Sequence, residues 1–233
     1  MICLYCLKDY DKEVTWATIF KADNKGLCPE CSNYLEPISE EKCGKCGREY
    51  DEQWFVNKHI CRDCIAWENQ PDYKEVKIKN TSLYKYNNFA KEFVAKWKYR
   101  GDYELVYAFS DEIKKLYKRK YKKFDYIITI PLSKERSYER SFNQSEAIAK
   151  LMDQKKIIQV FKRVESNKQS KKKKIERIHS ENPFIMTDFK STIDKKVLIV
   201  DDIYTTGTTM YRISKLLYEA GASEISTFAL FRG

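Results

Sequence analysis

The run Val197–Thr209, VLIVDDIYTTGTT, concentrates residues suited to hold a phosphorylated sugar. Two adjacent carboxylates, Asp201 and Asp202, suit a ribose diol, either directly or through a divalent cation. The turn that follows, Thr205, Thr206, Gly207, Thr208 and Thr209, offers backbone N–H groups and hydroxyls to a phosphate at the positive end of a helix. Gly207 allows the backbone to approach closely. Asp and Thr residues that merely cap a helix would use the same residue types. What favours a ligand is the order: apolar strand, acid pair, threonine–glycine turn, amphipathic helix.

A second constellation lies at the other end of the chain. All eight cysteines fall between Cys3 and Cys64, as four CxxC pairs: Cys3/Cys6, Cys28/Cys31, Cys43/Cys46 and Cys61/Cys64. Each pair can place two thiolates on one metal, and tetrahedral zinc needs four, so the set fits two structural zinc ions. Sequential pairing gives Cys3, Cys6, Cys28 and Cys31 at one site and Cys43, Cys46, Cys61 and Cys64 at the other. Cross-braced pairing satisfies the same spacing. In Cys43-Gly-Lys-Cys46-Gly, which looks like a zinc knuckle, glycine is expected to ease N–H approach to sulfur. Redox chemistry is the rival for a lone CxxC, and four pairs argue against it. His59, two residues before Cys61, is surplus to eight cysteines and reads as a surface residue.

These groups require particular elements to position them. Residues 1–70 are cysteine-rich, with little sustained hydrophobic periodicity, and read as a zinc-ribbon-type module. Residues 71–233 alternate helix-like and strand-like segments. Strands are predicted at Thr81–Tyr86, Tyr126–Ile130, Lys196–Val200 and Glu224–Phe231. Helices are predicted at Phe89–Trp97, Tyr103–Lys118, Gln144–Met152 and Thr208–Ala220. The alternation implies an α/β domain, a mostly parallel sheet with helices on its faces. Such a sheet binds ligands at the carboxyl ends of its strands, which is where the apolar run places Asp201 and Asp202.

Forty-four Lys and Arg stand against 34 Asp and Glu, a formal charge of +10. That surplus favours polyanionic partners, although a solvated lysine-rich surface gives the same count. The charged stretch at about 162–182 includes Lys171, Lys172, Lys173, Lys174 and Arg177 and reads as a mobile basic loop. No targeting segment opens the chain and no apolar run is long enough to cross a bilayer, so a soluble, cytoplasmic protein without membrane insertion is expected.

The segment 197–209 closely resembles the phosphoribosyltransferase signature, and the likeness extends upstream. Ile130-Pro131-Leu132 followed by Arg136, then ERSFNQSEAIA at Glu139–Ala149, resembles the ComF/ComFC family. So do the KxxGD element of Lys98, Gly101 and Asp102, the pattern Gln169, Arg177, Asn182 and Phe184, and the N-terminal cysteine module. The resemblance implies a type I phosphoribosyltransferase-like fold. It also implies binding of phosphoribosyl pyrophosphate or a similar phosphoribosyl ligand with Mg²⁺ at Asp201, Asp202 and Thr205–Thr209. Pro131, Leu132, Arg136 and Arg140 would face the pyrophosphate, the arginines as forked donors to phosphate oxygens. The basic loop would fold over the substrate as a positive lid, or meet a nucleic-acid backbone. One departure concerns Ser141, where the family usually has glycine.

The same resemblance implies DNA uptake in natural transformation, with single-stranded DNA and a helicase-like competence protein as partners. A true phosphoribosyltransferase, joining a nitrogenous acceptor to ribose C1 with loss of pyrophosphate, is one alternative. A zinc-ribbon adaptor with a vestigial site is another. Two features weigh against base salvage. Purine-salvage members commonly carry Asp two residues before the loop glycine, and Thr205 stands there. The sequence also ends at Phe231-Arg232-Gly233, directly after the last strand, so any base-binding hood is expected from the N-terminal half. Trp54, Phe55 and Trp67 could stack on bases or fill a small core. No catalytic residue is assigned, and the sequence leaves enzyme and binder open.

Overall fold

The computed structural model describes residues 1–11, 26–164 and 182–233. The helices are α1 (Pro29–Asn33), α2 (Arg62–Glu68), α3 (Asn88–Tyr99), α4 (Ser110–Leu116), α5 (Lys134–Arg140), α6 (Gln144–Asp153) and α7 (Thr208–Glu219). The strands are β1 (Phe55–Asn57), β2 (Ile60–Cys61), β3 (Lys79–Lys85), β4 (Tyr126–Thr129), β5 (Ile157–Ile158), β6 (Phe161–Arg163), β7 (Phe184–Met186), β8 (Lys196–Tyr204) and β9 (Glu224–Arg232).

A five-stranded sheet in the order β3-β9-β8-β4-β5, parallel at every pairing, forms the centre. Its interior strands read as apolar runs because helices cover both faces. Residues 197–200, Val-Leu-Ile-Val, are wholly buried. One face packs on α3, α4 and α6 through Phe93, Trp97, Phe109, Ile113 and Ile148. The other takes α7 through Met210, Ile213 and Leu217. Together these features are the α/β architecture expected from the alternation, of the phosphoribosyltransferase type that the resemblance implies.

Three local differences have physical causes. β8 does not stop at Val200. It pairs with β4 only to Val200 but follows β9 to Tyr204, so the acid pair lies on a strand supported from one side. The helix expected at Tyr103–Lys118 buries the anticipated face, Leu105, Val106, Phe109, Ile113 and Leu116, but winds unevenly. It runs as a 3₁₀ segment to Phe109, then α4, then a π-turn at Tyr117–Tyr121. The segment between Pro131 and Asn143, where no helix or strand is predicted, contains α5, started by the Ser133 hydroxyl accepting the Arg136 N–H. Seven polar residues without an apolar face gave no helical periodicity to read.

The charged stretch begins inside structure: β6 pairs antiparallel with β7, Phe161 opposite Met186. Lys171–Lys174 and Arg177, with Gln169 and His179, lie outside the described residues.

Candidate functional site

The two halves of the acid pair have different surroundings. Asp201 lines a small polar cavity of about 50 Å³ formed with Tyr204 and Thr205–Thr209. Its carboxylate accepts from the Ser145 hydroxyl at 3.4 Å and from the Asp202 amide at 2.9 Å. Asp202 is buried and ion-paired with Lys98, on the last turn of α3. Successive strand residues point to opposite sides, which is why two neighbouring acids can be divided this way. Burial, reinforced by the Asp202 charge, pushes the Asp201 carboxyl well above the usual carboxylate range. A divalent cation or a diol at its oxygens would offset that cost.

The loop after β8 owes its shape to Gly207, at φ +82°. A Cβ there would meet the Tyr204 hydroxyl at 2.3 Å, and Tyr204 is buried. Gly207 then serves as the N-cap of α7 without supplying a side chain. The Thr208 N–H meets the Thr206 hydroxyl at 3.4 Å, and the N-cap offers no side-chain acceptor to the rest of the first turn, the arrangement that suits an anion. The Thr206 and Thr208 hydroxyls lie 2.8 Å apart over this helix end.

Across the cavity, the chain leaving β4 is closed by Asn143, whose side-chain amide donates to the Ile130 carbonyl at 2.9 Å and whose oxygen caps α6. Arg136 is exposed on α5. Arg140 is half-buried, donates to Gln144 at 3.4 Å, and leaves its buried Nε without a partner among the described residues. Arg163, at the end of β6, was not singled out by sequence. It is half-buried over the Phe184 ring at 5.6 Å, and burial together with Arg136 and Arg140 lowers its pKa. Like charges gathered this way favour an anion between them. Ser141, where the family has glycine, sits at φ +61°, a left-handed geometry that glycine adopts at less cost. Its hydroxyl lies 3.8 Å from where a Gly101 Cβ would be, so the KxxGD turn meets the end of α5.

The eight cysteines fall into two groups, Cys3, Cys6, Cys28 and Cys31, and Cys43, Cys46, Cys61 and Cys64. Pairing is therefore sequential. Within each group every Sγ lies within 4.8 Å of the others, and neighbours approach to 3.5–3.8 Å. Four sulfurs about 2.3 Å from one zinc ion would sit about 3.8 Å apart, so both groups could hold a metal and are consistent with zinc. No disulfide joins them. Burial pushes the Cys31 thiol up and the neighbouring cysteines push Cys64 up, while hydrogen bonds from the same neighbours hold Cys43 down. Gly44 behaves differently from expectation, donating to the His59 carbonyl, while the Cys61 N–H reaches the Cys43 sulfur at 3.5 Å.

The second group is joined to the threonine–glycine loop. The Trp67 indole N–H donates to the Thr206 carbonyl at 2.8 Å, and its ring stacks on Tyr211 of α7 at 4.5 Å. Trp67 and Phe55 are thus buried and unavailable for base stacking, whereas Trp54 is exposed beneath the Arg48 guanidinium. Arg232, which sequence left without a role, donates to the Cys46 sulfur and to the Tyr204 and Thr205 carbonyls.

Residues 140–233 match the phosphoribosyl transferase domain family. Over its full length the chain is 36% identical to competence protein ComFC of Bacillus subtilis, covering 95% of that protein. It is 34% identical, again over its full length, to competence protein ComFC of Streptococcus pneumoniae, covering 100% of it. Competence protein F of Haemophilus influenzae is 29% identical over 89% of this chain and 90% of its own. Among the described residues no helix is long and apolar enough to cross a membrane.

Proposed function

The chain belongs to the ComFC family of competence proteins, and from that premise we propose that it binds a phosphoribosyl ligand and single-stranded DNA during DNA uptake. The observation that carries the reading is the cavity where Asp201 meets the Thr205–Thr209 loop at the carboxyl edge of the central sheet. Phosphoribosyl pyrophosphate fits it in parts. The sugar phosphate takes the open N–H groups of α7. The ribose diol, with Mg²⁺, takes Asp201, while Asp202 keeps Lys98 in place. The pyrophosphate lies toward Pro131, Leu132, Arg136 and Arg140, with Arg163 behind them. Zinc occupies both cysteine groups as a structural ion, within an N-terminal module of residues 1–70 attached to a ligand-binding domain of 71–233.

The DNA component rests on the charge of +10 and on exposed side chains beside the site. Tyr138, 93% exposed on α5 between Arg136 and Arg140, offers a ring to a base and cations to its phosphates. The basic segment with Lys171, Lys172, Lys173, Lys174 and Arg177 adds to the same field, and a helicase-like competence protein would share the strand. The protein works in the cytoplasm under this reading.

Calorimetric titration of the zinc-loaded chain with phosphoribosyl pyrophosphate tests the ligand. Saturable binding that requires Mg²⁺ and disappears in Asp201→Asn is expected. Binding of undiminished strength in that variant would refute the site. For DNA, affinity for a short oligonucleotide should fall by about 0.7 logarithmic units per phosphate contact for each tenfold rise in salt. Glutamine at Lys171–Lys174 should flatten that slope, and a slope unchanged by those substitutions would exclude the basic segment.

A further inference from the structure

Arg232 makes an unusual set of contacts for one side chain. It is 4% exposed at the end of β9. Its Nη2 donates to the Cys46 sulfur at 3.1 Å and its Nε to the Cys46 carbonyl at 3.1 Å. The other branch, Nη1, faces the Tyr204 carbonyl at 3.2 Å, the Thr205 carbonyl at 2.9 Å and the neighbouring Gly233 carbonyl. The plane of the guanidinium also lies over the Tyr204 ring, 4.9 Å from its centre. Tyr204 in turn fills the space that a Gly207 Cβ would occupy. One fork thus grips a cysteine of the second group with one side and the start of the threonine–glycine loop with the other.

A second link runs beside it. Trp67 lies on α2, three residues after Cys64, and gives its N–H to the Thr206 carbonyl. The carbonyls of Tyr204, at the end of β8, and of Thr205 and Thr206 in the loop are therefore held in turn by donors that also touch the Cys43/Cys46/Cys61/Cys64 group or its helix, the Tyr204 carbonyl accepting from the Gly233 N–H as well at 2.9 Å. Their opposite faces present the N–H groups and hydroxyls of the cavity. A peptide whose carbonyl is held has its following N–H fixed in direction, because the peptide unit is planar.

We propose that Arg232 is a positioning residue through which the second cysteine group, when it holds its metal, sets the order of the phosphate loop and hence its affinity. This rests on the ligand reading given above. A charged fork between thiolate and carbonyls is strong because both acceptors are buried. With a cation shared by four thiolates, Cys46 is fixed and Arg232 has a rigid anchor. If the metal leaves, the anchor loosens and the loop carbonyls lose their common support. Linkage requires the converse: a phosphorylated ligand that orders the loop retards metal loss from this group and not from the other.

The test uses the full-length, zinc-loaded chain and reads amide hydrogen exchange over residues 203–209, zinc release to a chelator, and binding of phosphoribosyl pyrophosphate. Arg232→Gln should speed exchange in the loop about ten-fold while leaving the segment around Cys3 and Cys28 unchanged. In the natural chain phosphoribosyl pyrophosphate should slow release of one of the two zinc equivalents, and in Arg232→Gln it should slow neither. Arg232→Lys keeps a cation beside Cys46 but lacks the fork, so loop exchange should stay fast in this variant as well. Should Arg232→Gln fail to fold, Trp67→Phe keeps an aromatic ring facing Tyr211 while removing the N–H with the pyrrole half of the indole, and a smaller rise in loop exchange is expected. Unchanged loop exchange in the folded variants, with both zinc ions retained, overturns the proposal. Absence of any phosphoribosyl pyrophosphate binding by the natural chain overturns the ligand reading instead, and the exchange comparison still decides whether Arg232 orders the loop.

Discussion

The two cysteine groups have the same ligands and different neighbours. Cys3, Cys6, Cys28 and Cys31 sit in a small cluster of their own, with Tyr5, Tyr10 and Leu27. This group reaches the sheet domain through α3: Tyr5 lies 4.8 Å from Phe89 and stacks on Phe93 at 5.6 Å, its hydroxyl donates to Glu92 at 3.3 Å, and its carbonyl accepts from Lys96. Cys43, Cys46, Cys61 and Cys64 share a core with Ile128, Val197, Ile199 and Met210. Buried donors from Asn80, Arg232 and Trp67 tie that group and its helix to the sheet and loop. Rings and partly exposed polar bonds hold the first group, and buried donors that also reach the phosphate loop hold the second. A ring contact tolerates sliding, whereas a fork of N–H groups fixes a backbone. The second group is thus part of the site's scaffold, and the first is an attachment to the helix that carries Lys98.

The widest separation between the groups should appear on removing one ligand from each. Cys61→Ser, at a wholly buried position inside the shared core, should cost more than about 4 kcal/mol and unfold the sheet domain together with the site. Cys6→Ser, at a partly exposed position, should release one zinc equivalent and leave the sheet intact. Thermal melts with zinc counting check both, and equal losses would erase the distinction between the groups.

A lesser effect is expected at the loop that the second group braces. Gly207→Ala forces a Cβ onto Tyr204 and a left-handed backbone onto alanine, so a loss of about 2–3 kcal/mol is expected, with ligand binding abolished. Chemical denaturation and calorimetry measure the two outcomes. Asp201→Asn should act in the opposite direction on stability. A carboxyl whose pKa is raised on folding binds protons more tightly in the native state. Its contribution is fully present below the ordinary carboxylate range and is lost as pH rises through the raised value. The asparagine variant should therefore match the natural chain in acid and exceed its stability at neutral pH, while losing Mg²⁺-dependent binding. Denaturation midpoints across that range check it. The smallest change lies away from the second group: Ser141→Gly should stabilise by about 0.5–1 kcal/mol, since glycine accepts φ +61° more cheaply. Denaturant titration would show it.

Much of this was legible in residue order, for reasons specific to each element. Val197–Val200 with the acid pair announces a buried strand end because both its faces are covered. Four CxxC pairs fix the number of metal groups because thiolate geometry is local. Sequential pairing was not legible, since it depends on how β1, β2 and α2 fold back. The division of labour between Asp201 and Asp202 was hidden as well. It arises from Lys98, about a hundred residues earlier in sequence and joined only by packing of α3 on the sheet. Arg163 and Arg232 looked like ordinary charges at strand ends, and only tertiary structure shows one facing the arginine cluster and the other facing Cys46.

The most direct test is a crystal structure of the zinc-loaded chain grown with phosphoribosyl pyrophosphate and Mg²⁺. The sugar phosphate should lie against the N–H groups of Thr205–Thr209, the ribose hydroxyls and Mg²⁺ toward Asp201, and the pyrophosphate beside Arg136 and Arg140. A ligand bound elsewhere, with the Thr205–Thr209 loop empty at saturating concentration, would contradict the account.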